Sequence, residues 1–271
     1  MNFLSLFFSA GKLWFKKESD QYAAALAYFV PFALTPLLLI SMTLVGLLVG
    51  TGRLTDLLAS WGDSIDPGLP IIMADALTQL ENRSDEFTIP IFAVAFFSIM
   101  ILVALNSLTA GIHKLWGIER FGLRFLIIRF FRAVLTILLI QLYLVAIIVI
   151  GGLVTWIGII IPTTVEVVIQ LFGFLLCTII FLTFAYRLLP AATLPFRSCF
   201  YGGVVAGIMF LGVRAFVTAH LVTAPAVTLY GAASIVIILL MWFYAVGSII
   251  LFGAAFAKVH YDTAKNVETS E

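Results

Sequence analysis

Six apolar runs, each long enough to cross a lipid bilayer, constrain the fold of this chain more than any other feature. They cover residues 24–50, 88–110, 133–161, 166–186, 199–221 and 229–257. A membrane-spanning helix needs about 17–25 residues, and a helix satisfies all its backbone hydrogen bonds internally, as lipid demands. The runs lack the strand-like alternation of a membrane barrel. The sequence therefore predicts an all-α, polytopic transmembrane helical bundle with six spans.

The composition excludes several classes of protein. Only 11% of the residues are charged and 63% are hydrophobic, whereas a soluble domain has about 25% charged residues. A soluble enzyme, a disordered chain and a disulfide scaffold are therefore excluded. The net charge of +1 provides no basic excess for nucleic acid, so we expect no nucleic-acid partner.

The basic residues predict the orientation of the bundle. Of the 15 Lys and Arg residues, 12 fall on one side of the predicted spans. These twelve are Lys12, Lys16, Lys17, Lys114, Arg120, Arg124, Arg129, Arg132, Arg187, Arg197, Lys258 and Lys265. The opposite side has Arg53 and Arg83, with many acidic residues. By the positive-inside rule, both termini are predicted to be cytoplasmic.

The segments outside the spans predict additional amphipathic helices. Residues 1–23 are expected to form an interfacial helix, or alternatively a helix packed against the bundle, and residues 24–258 the membrane domain. The outer loop 51–87 has two short amphipathic patterns, which either cap the outer mouth or lie along the outer leaflet. Residues 259–271 are expected to be a cytoplasmic tail.

A basic amphipathic pattern over residues 112–126 predicts a further interfacial helix. At helical spacing, His113, Arg120 and Arg124 share one face, and apolar side chains occupy the other. Such a helix would position anionic lipid headgroups beside the third span. The alternative is that these basic residues serve only as topology signals.

The chain offers little for catalysis. Its three histidines are separated by the predicted topology, and neither a zinc-ligand spacing nor a glycine-rich phosphate loop occurs. We therefore expect no catalytic residue, no metal site and no cofactor, and we do not expect an enzyme.

One charged residue falls inside a predicted span. Arg214 lies 15 residues after Cys199, about 22 Å along the fifth span. An ionisable residue within the membrane is by default a functional candidate, although arginine near a helix end can also snorkel to the interface. Glu166, at the adjoining outer hairpin, is its expected partner.

Other polar or irregular positions are candidate substrate or lipid contacts. Pro31 and Pro36 in the first span either open a backbone carbonyl to a substrate or shape the bundle. Asn106 and Gln141 either line a cavity or make interhelical hydrogen bonds, and Gly203 with Gly207 forms a close-packing face.

Three ordered segments resemble a known family. They are AAALAY at 23–28 with PLLL at 36–39, RLLP at 187–190 with Arg197 and the glycines 202–203, and YGAA at 230–233 with LMWFY at 240–244 and GA at 253–254. The chain is thereby similar to the YihY/BrkB family of bacterial inner-membrane proteins over about 10–258. The resemblance implies a six-span protein of the inner membrane with no established activity. Members were once labelled ribonuclease BN, but this sequence supports no nuclease, because it lacks a metal cluster and a basic groove with stacking aromatics.

Two functions are compatible with these features. The first is a transporter or flippase-like protein for an amphiphile or lipid in envelope biogenesis, with membrane lipids, including anionic headgroups, as partners. The alternative is a non-transporting envelope scaffold or assembly factor, which would have an oligomeric or membrane-protein partner. The absence of sequence similarity between the two halves weakens an inverted-repeat transporter.

Overall fold

The computed structural model describes residues 3–49, 91–118, 123–158, 163–190, 194–216 and 232–268. The predicted outer loop 51–87 lies outside these residues. The described part contains seven helices and no strand. They are α1 (Phe3–Lys16), α2 (Ser19–Val49), α3 (Ile91–Trp116), α4 (Leu123–Gly158), α5 (Thr163–Leu188), α6 (Phe196–Phe216) and α7 (Ala232–Glu268). The predicted all-α class is confirmed for this part of the chain.

Five of the described segments are long and apolar enough to cross a membrane. They are Ser98–Trp116, Phe131–Val154, Thr164–Leu188, Phe196–Phe216 and Ile237–Asn266. The remaining predicted span, 24–50, coincides with most of α2, which is not among these five. A multi-pass membrane protein is therefore supported, and the count of six spans stays a prediction.

The helices at the two ends of the chain differ from their predicted bounds. The predicted helix 1–23 is two elements, because the chain turns at Glu18, whose φ of 51° lies in the left-handed region, and α2 begins at Ser19. The predicted tail 259–271 is helical through Glu268. An ion pair one turn apart, Lys258 to Asp262 at 2.8 Å, supports this extension of α7.

The predicted helix over 112–126 is wrong. Helix α3 continues to Trp116 and ends at Gly117, whose φ of 67° is left-handed. The amide of Ile118 donates to the carbonyl of His113 at 3.0 Å, which is the hydrogen bond of a Schellman C-cap. The periodicity that placed Arg120 and Arg124 on one face therefore crosses a helix end, and the next helix begins at Leu123.

The chain divides into two compact units. The first comprises Met1–Leu34, Ile99–Leu139 and Thr178–Glu271, and the second comprises Thr35–Ser98 and Ile140–Cys177. Helix α7 lies at the centre of the first unit, where residues 253–257 are all buried. The indole nitrogen of Trp116 donates to the Ala254 carbonyl at 2.9 Å, and Ala23 of α2 approaches Gly247.

Glycines allow α5, α6 and α7 to pack with their backbones close together. A Cβ added to Gly202 would lie 2.9 Å from the Cβ of Ala257, and one added to Gly203 would lie 2.6 Å from the Thr183 hydroxyl. Real Cβ atoms do not approach so closely, so both positions require glycine. The predicted packing role of Gly203 is confirmed, as Gly207 is also buried.

Helix α1 packs one face against α7. The rings of Phe7 and Phe252 lie 4.9 Å apart and those of Phe3 and Phe256 lie 5.6 Å apart, and Ala10 is fully buried. For this face of α1, the structure therefore confirms the second of the two predictions, that the helix packs against the bundle. The interfacial position of its opposite, exposed face, which includes Phe8, stays a prediction.

Candidate functional site

The first unit brings together the helix ends that carry most of the basic residues. Three contacts join residues just outside the predicted spans on this side: Glu18–Lys114, Arg132–Pro190 and Ser198–His260. We call this region the basic end. The sequence places all these ends on one side of the membrane, and the contacts agree with that grouping. Its cytoplasmic location remains the prediction from the distribution of Lys and Arg.

A continuous set of side chains lies at the basic end, on α5, α6 and α7, four of them exposed and His260 half-buried. It consists of Arg187, Phe196, Phe200, Tyr201 and His260, which we call the aromatic–basic cluster. The Arg187 guanidinium lies 6.0 Å from the Phe196 ring centre. The centroid distances are 6.5 Å from Phe196 to Phe200, 6.2 Å from Phe200 to Tyr201 and 4.6 Å from Tyr201 to His260.

The start of α6 explains how the chain builds this cluster. The Pro195 carbonyl accepts hydrogen bonds from the amides of Ser198 and Cys199, so the helix begins at Phe196. Positions four residues apart share a helix face, which aligns Phe196 with Phe200. Arg197 is exposed beside Phe196, and the N-terminus of the helix adds a partial positive charge.

The Ser198–His260 contact is structural in character. The hydroxyl oxygen lies 3.1 Å from Nδ1 of His260, a distance that a catalytic nucleophile and its base would also have. The Ser198 side chain is only 3% exposed, however, so a substrate cannot reach the hydroxyl. The contact instead ties the first turn of α6 to α7 and holds the His260 ring against Tyr201.

The arrangement of the cluster suits an anionic headgroup at a membrane surface. Tyrosine and other amphipathic rings favour the depth of the headgroups, and a guanidinium binds phosphate through two parallel hydrogen bonds. Each basic side chain near an anionic leaflet contributes about 1 kcal/mol. Arg187 and Arg197 provide two such charges.

The predicted pair of Arg214 and Glu166 is divided between the two units. Arg214 is exposed near the C-terminal end of α6, in the first unit, and Glu166 is half-buried in the first turn of α5, in the second. Their contact stays a prediction. Asn106 is exposed on α3, so its carboxamide does not face the core of the first unit.

The predicted prolines lie within an uninterrupted helix. Helix α2 continues through Pro31 and Pro36, and both side chains are half-buried. The division between the two units falls between them, at Leu34 and Thr35. Of the predicted headgroup ligands, Arg120 lies outside the described residues, and Arg124 lies in the first turn of α4, where only the backbone is described.

We did not predict the aromatic–basic cluster from the sequence, because Arg187 and the adjoining Arg197 were interpreted only as topology signals and as parts of family motifs. A local signal is nevertheless present. Leu194 and Pro195 precede Phe196, Arg197, Phe200 and Tyr201, which is a helix start with aromatic side chains at helical spacing beside an arginine. The contribution of His260 could not be found this way, because it comes from a helix 62 residues away in sequence.

Within the described ranges, no three His, Cys, Asp or Glu side chains come together as a metal-ligand set.

Comparisons with known proteins identify relatives over nearly the whole chain. The sequence model of the family described as "Virulence factor BrkB" matches residues 13–271. A "UPF0761 membrane protein" of Coxiella burnetii (strain Dugway 5J108-111) is 27% identical over 261 residues, which cover 90% of this chain and 89% of the relative. A protein of the same name from Alcanivorax borkumensis is 24% identical over 250 residues, 88% of this chain, and this chain spans 56% of that relative's length. No solved structure matches the chain.

Proposed function

This chain belongs to the BrkB family of membrane proteins, and from that premise we propose that it binds an anionic amphiphile or lipid and moves it across the bacterial inner membrane. Such a transporter or flippase-like protein would act in envelope biogenesis, with both termini in the cytoplasm. In this proposal the chain binds and moves lipid, and none of its residues is assigned a catalytic role.

The observation that carries this proposal is the aromatic–basic cluster. Arg187 is exposed while its guanidinium rests on the Phe196 ring, so the guanidinium is positioned at the surface, where it can meet a headgroup. Phe200 and Tyr201 are also exposed and would lie among the upper acyl chains and the headgroups. The cluster thus combines an apolar surface with positive charge, which matches the two parts of an amphiphile.

The other candidate residues have supporting roles in the proposal. Arg120 and Arg124 add positive charge near the third span, and Arg214 and Glu166 are each a polar position predicted towards the opposite membrane face. Pro31 and Pro36 each remove one backbone donor from α2, which leaves carbonyl oxygens available to a polar group. Asn106 is a further exposed hydrogen-bonding group within a span.

A non-transporting scaffold is the second candidate, and a different observation favours it. The glycine contacts of Gly202, Gly203 and Gly253 pack α5, α6 and α7 with almost no free space. A unit packed in this way resists the rearrangement that alternating access requires. This candidate expects a stably bound membrane-protein partner and no movement of lipid.

Lipid retention tests the proposed binding site. The wild type and the double variant Arg187→Gln/Arg197→Gln would be purified with native lipids, and the bound lipid would be counted by mass spectrometry. We expect the double variant to retain fewer anionic lipids. The matched variant Arg187→Lys/Arg197→Lys keeps both charges but loses bidentate phosphate recognition, so its retention should be intermediate. Equal retention in all three proteins would contradict binding at the cluster.

A further inference from the structure

A polar pair lies between α2 and α4 in the second unit. The Ser41 hydroxyl oxygen is 3.2 Å from Oε1 of Gln141 and 2.8 Å from the Leu37 carbonyl oxygen. Ser41 is fully buried and Gln141 is 9% exposed. Leu37 and Val45, one turn before and one turn after Ser41, are also buried. The pair is therefore embedded in an apolar helix face.

The position of Gln141 along its helix places it deep in the membrane. It lies ten residues from the start and thirteen from the end of the apolar segment Phe131–Val154, about 15 Å and 20 Å along the helix axis. A polar group at this depth has no bulk water to pair with. Its hydrogen bonds must therefore be provided by the protein or by a bound molecule.

Among the described residues, the hydrogen bonds of this pair leave one atom of the carboxamide without a partner. Ser41 has one hydroxyl proton, which can be donated to Leu37 or to Gln141 but not to both. If it goes to Gln141, the Nε2 group finds no acceptor among the described residues. If it goes to Leu37, the carboxamide must turn so that Nε2 donates to Ser41, and Oε1 is then unpaired instead.

Burial of an unpaired carboxamide atom is unfavourable, and nearly all buried polar groups in proteins are paired. The missing partner must donate to Oε1 in one arrangement and accept from Nε2 in the other. A hydroxyl group does both. A charged ligand fits poorly, because a neutral amide and a serine cannot offset the cost of a charge at this depth.

We propose that Ser41 and Gln141 form a mid-membrane binding site for a single neutral hydroxyl group, either a water molecule or the hydroxyl of an amphiphile. The site is independent of the aromatic–basic cluster and does not require that the protein transports a lipid. Its polar atoms come from α2 and α4, and Pro36 lies next to Leu37 in the same turn of α2.

Side-chain amide NMR on the full chain in detergent micelles tests this proposal. Protein labelled with ¹⁵N-glutamine reports each Nε2 group, and the variant Gln141→Met identifies the Gln141 signal by its loss. Gln170→Met is the matched control, because it removes a glutamine from α5 of the same unit. If Gln141→Met does not fold, Ser41→Ala identifies the signal as the one whose position changes.

Two probes separate the sources of the hydroxyl. We expect the Gln141 amide either to show magnetisation transfer with water, which identifies a bound water, or to shift on addition of 1-decanol and not of decane, which identifies an alcohol. In the second case, loss of the hydrogen bond should weaken 1-decanol binding about fivefold to tenfold in Gln141→Met, and Gln170→Met should bind as the wild type does. An amide that neither contacts water nor responds to 1-decanol would overturn the proposal.

Discussion

The hydroxyl of Tyr186 donates a 2.8 Å hydrogen bond to the backbone carbonyl of Ile250. Tyr186 is fully buried on α5 and Ile250 lies on α7, so this bond fastens two helices to each other. The ring reaches the carbonyl because Gly253, one turn further along α7, has no side chain in the way. The contact lies near the basic end. Tyr186 directly precedes Arg187 of the aromatic–basic cluster in the sequence.

Replacing this glycine tests the packing of the first unit. A Cβ at position 253 would contact the Tyr186 hydroxyl and would lie 2.7 Å from the Ala206 Cβ and 2.8 Å from the Gly202 carbonyl oxygen. We expect Gly253→Ala to destabilise the protein by about 1–3 kcal/mol, the typical cost of overpacking a core. The measurement is the thermal unfolding midpoint in detergent.

Gly212→Ala is the control for this substitution. A Cβ at Gly212 of α6 would have no atom within 4 Å, and alanine favours a helix more than glycine does. We expect an unfolding midpoint equal to or slightly above that of the wild type. Equal destabilisation by both substitutions would show that the close contacts around Gly253 are not the cause of the destabilisation.

The ion pair between Glu18 and Lys114 should make the α1–α2 junction sensitive to acid. The Lys114 ammonium donates a hydrogen bond to the Glu18 carboxylate at 2.8 Å, and this bond and its charge lower the pKa of Glu18 below its ordinary value of 4.5. A lowered carboxyl pKa stabilises the folded state above the unfolded pKa, and this contribution is lost as the pH falls through the folded pKa. We expect Glu18→Gln to lower the unfolding midpoint slightly at pH 7 and to have no effect at a pH below the folded pKa.

Glu18→Gly distinguishes the effect of the ion pair on stability from the effect of the backbone conformation at residue 18. Glycine adopts the left-handed conformation of residue 18 without strain, so this variant loses the ion pair but gains backbone compatibility. We expect its unfolding midpoint at pH 7 to exceed that of Glu18→Gln. The reverse order would indicate that the backbone of Glu18 is not strained.

Arg214 should matter for function more than for folding. A guanidinium inside a span costs about 2.5–3.5 kcal/mol on insertion scales, so we expect it to contact Glu166, an acidic residue of the outer loop or a lipid phosphate. Arg214→Leu is then expected to reduce lipid movement more than folded yield, measured on the same preparation. Wild-type lipid movement in Arg214→Leu would indicate a snorkelling side chain with no functional role.

The predicted topology can be tested by cysteine labelling from outside the cell. Ser64 and Ser270, which both lie outside the described residues, are predicted to face opposite sides of the membrane. In a background with Cys177 and Cys199 replaced by alanine, an impermeant maleimide should modify Ser64→Cys and not Ser270→Cys. Labelling of Ser270→Cys alone would require the inverted orientation.

Hydrophobic run length was sufficient to predict the helical class and the five described segments that are long and apolar enough to cross a membrane. It failed where a helix ends for a local reason. Gly117 fits the helical spacing from His113, but its left-handed backbone conformation ends α3. Periodicity of side-chain type gives no information on backbone conformation. Run length also could not show that α7 continues past its apolar part, because the polar turn from Lys258 to Asp262 is held by side-chain pairing.

The candidate site was less accessible from sequence than the fold. Arg187 and Arg197 could be placed on the basic side of the membrane by counting charges, yet their surroundings depend on contacts between helices. The Ser198–His260 contact joins residues from two helices, and the polar pair of Ser41 and Gln141 spans 100 residues. A single sequence contains no direct signal for such pairs.

The central claim is that this protein moves an anionic lipid by means of the aromatic–basic cluster. The most direct measurement is the transfer of a fluorescent anionic phospholipid between leaflets of proteoliposomes, followed by quenching of the outer leaflet with dithionite. We predict faster transfer with the wild type and with Gly212→Ala than in protein-free vesicles, and a clear loss with Arg187→Gln/Arg197→Gln. Transfer by the folded wild type at the rate of protein-free vesicles would contradict the claim and favour a scaffold.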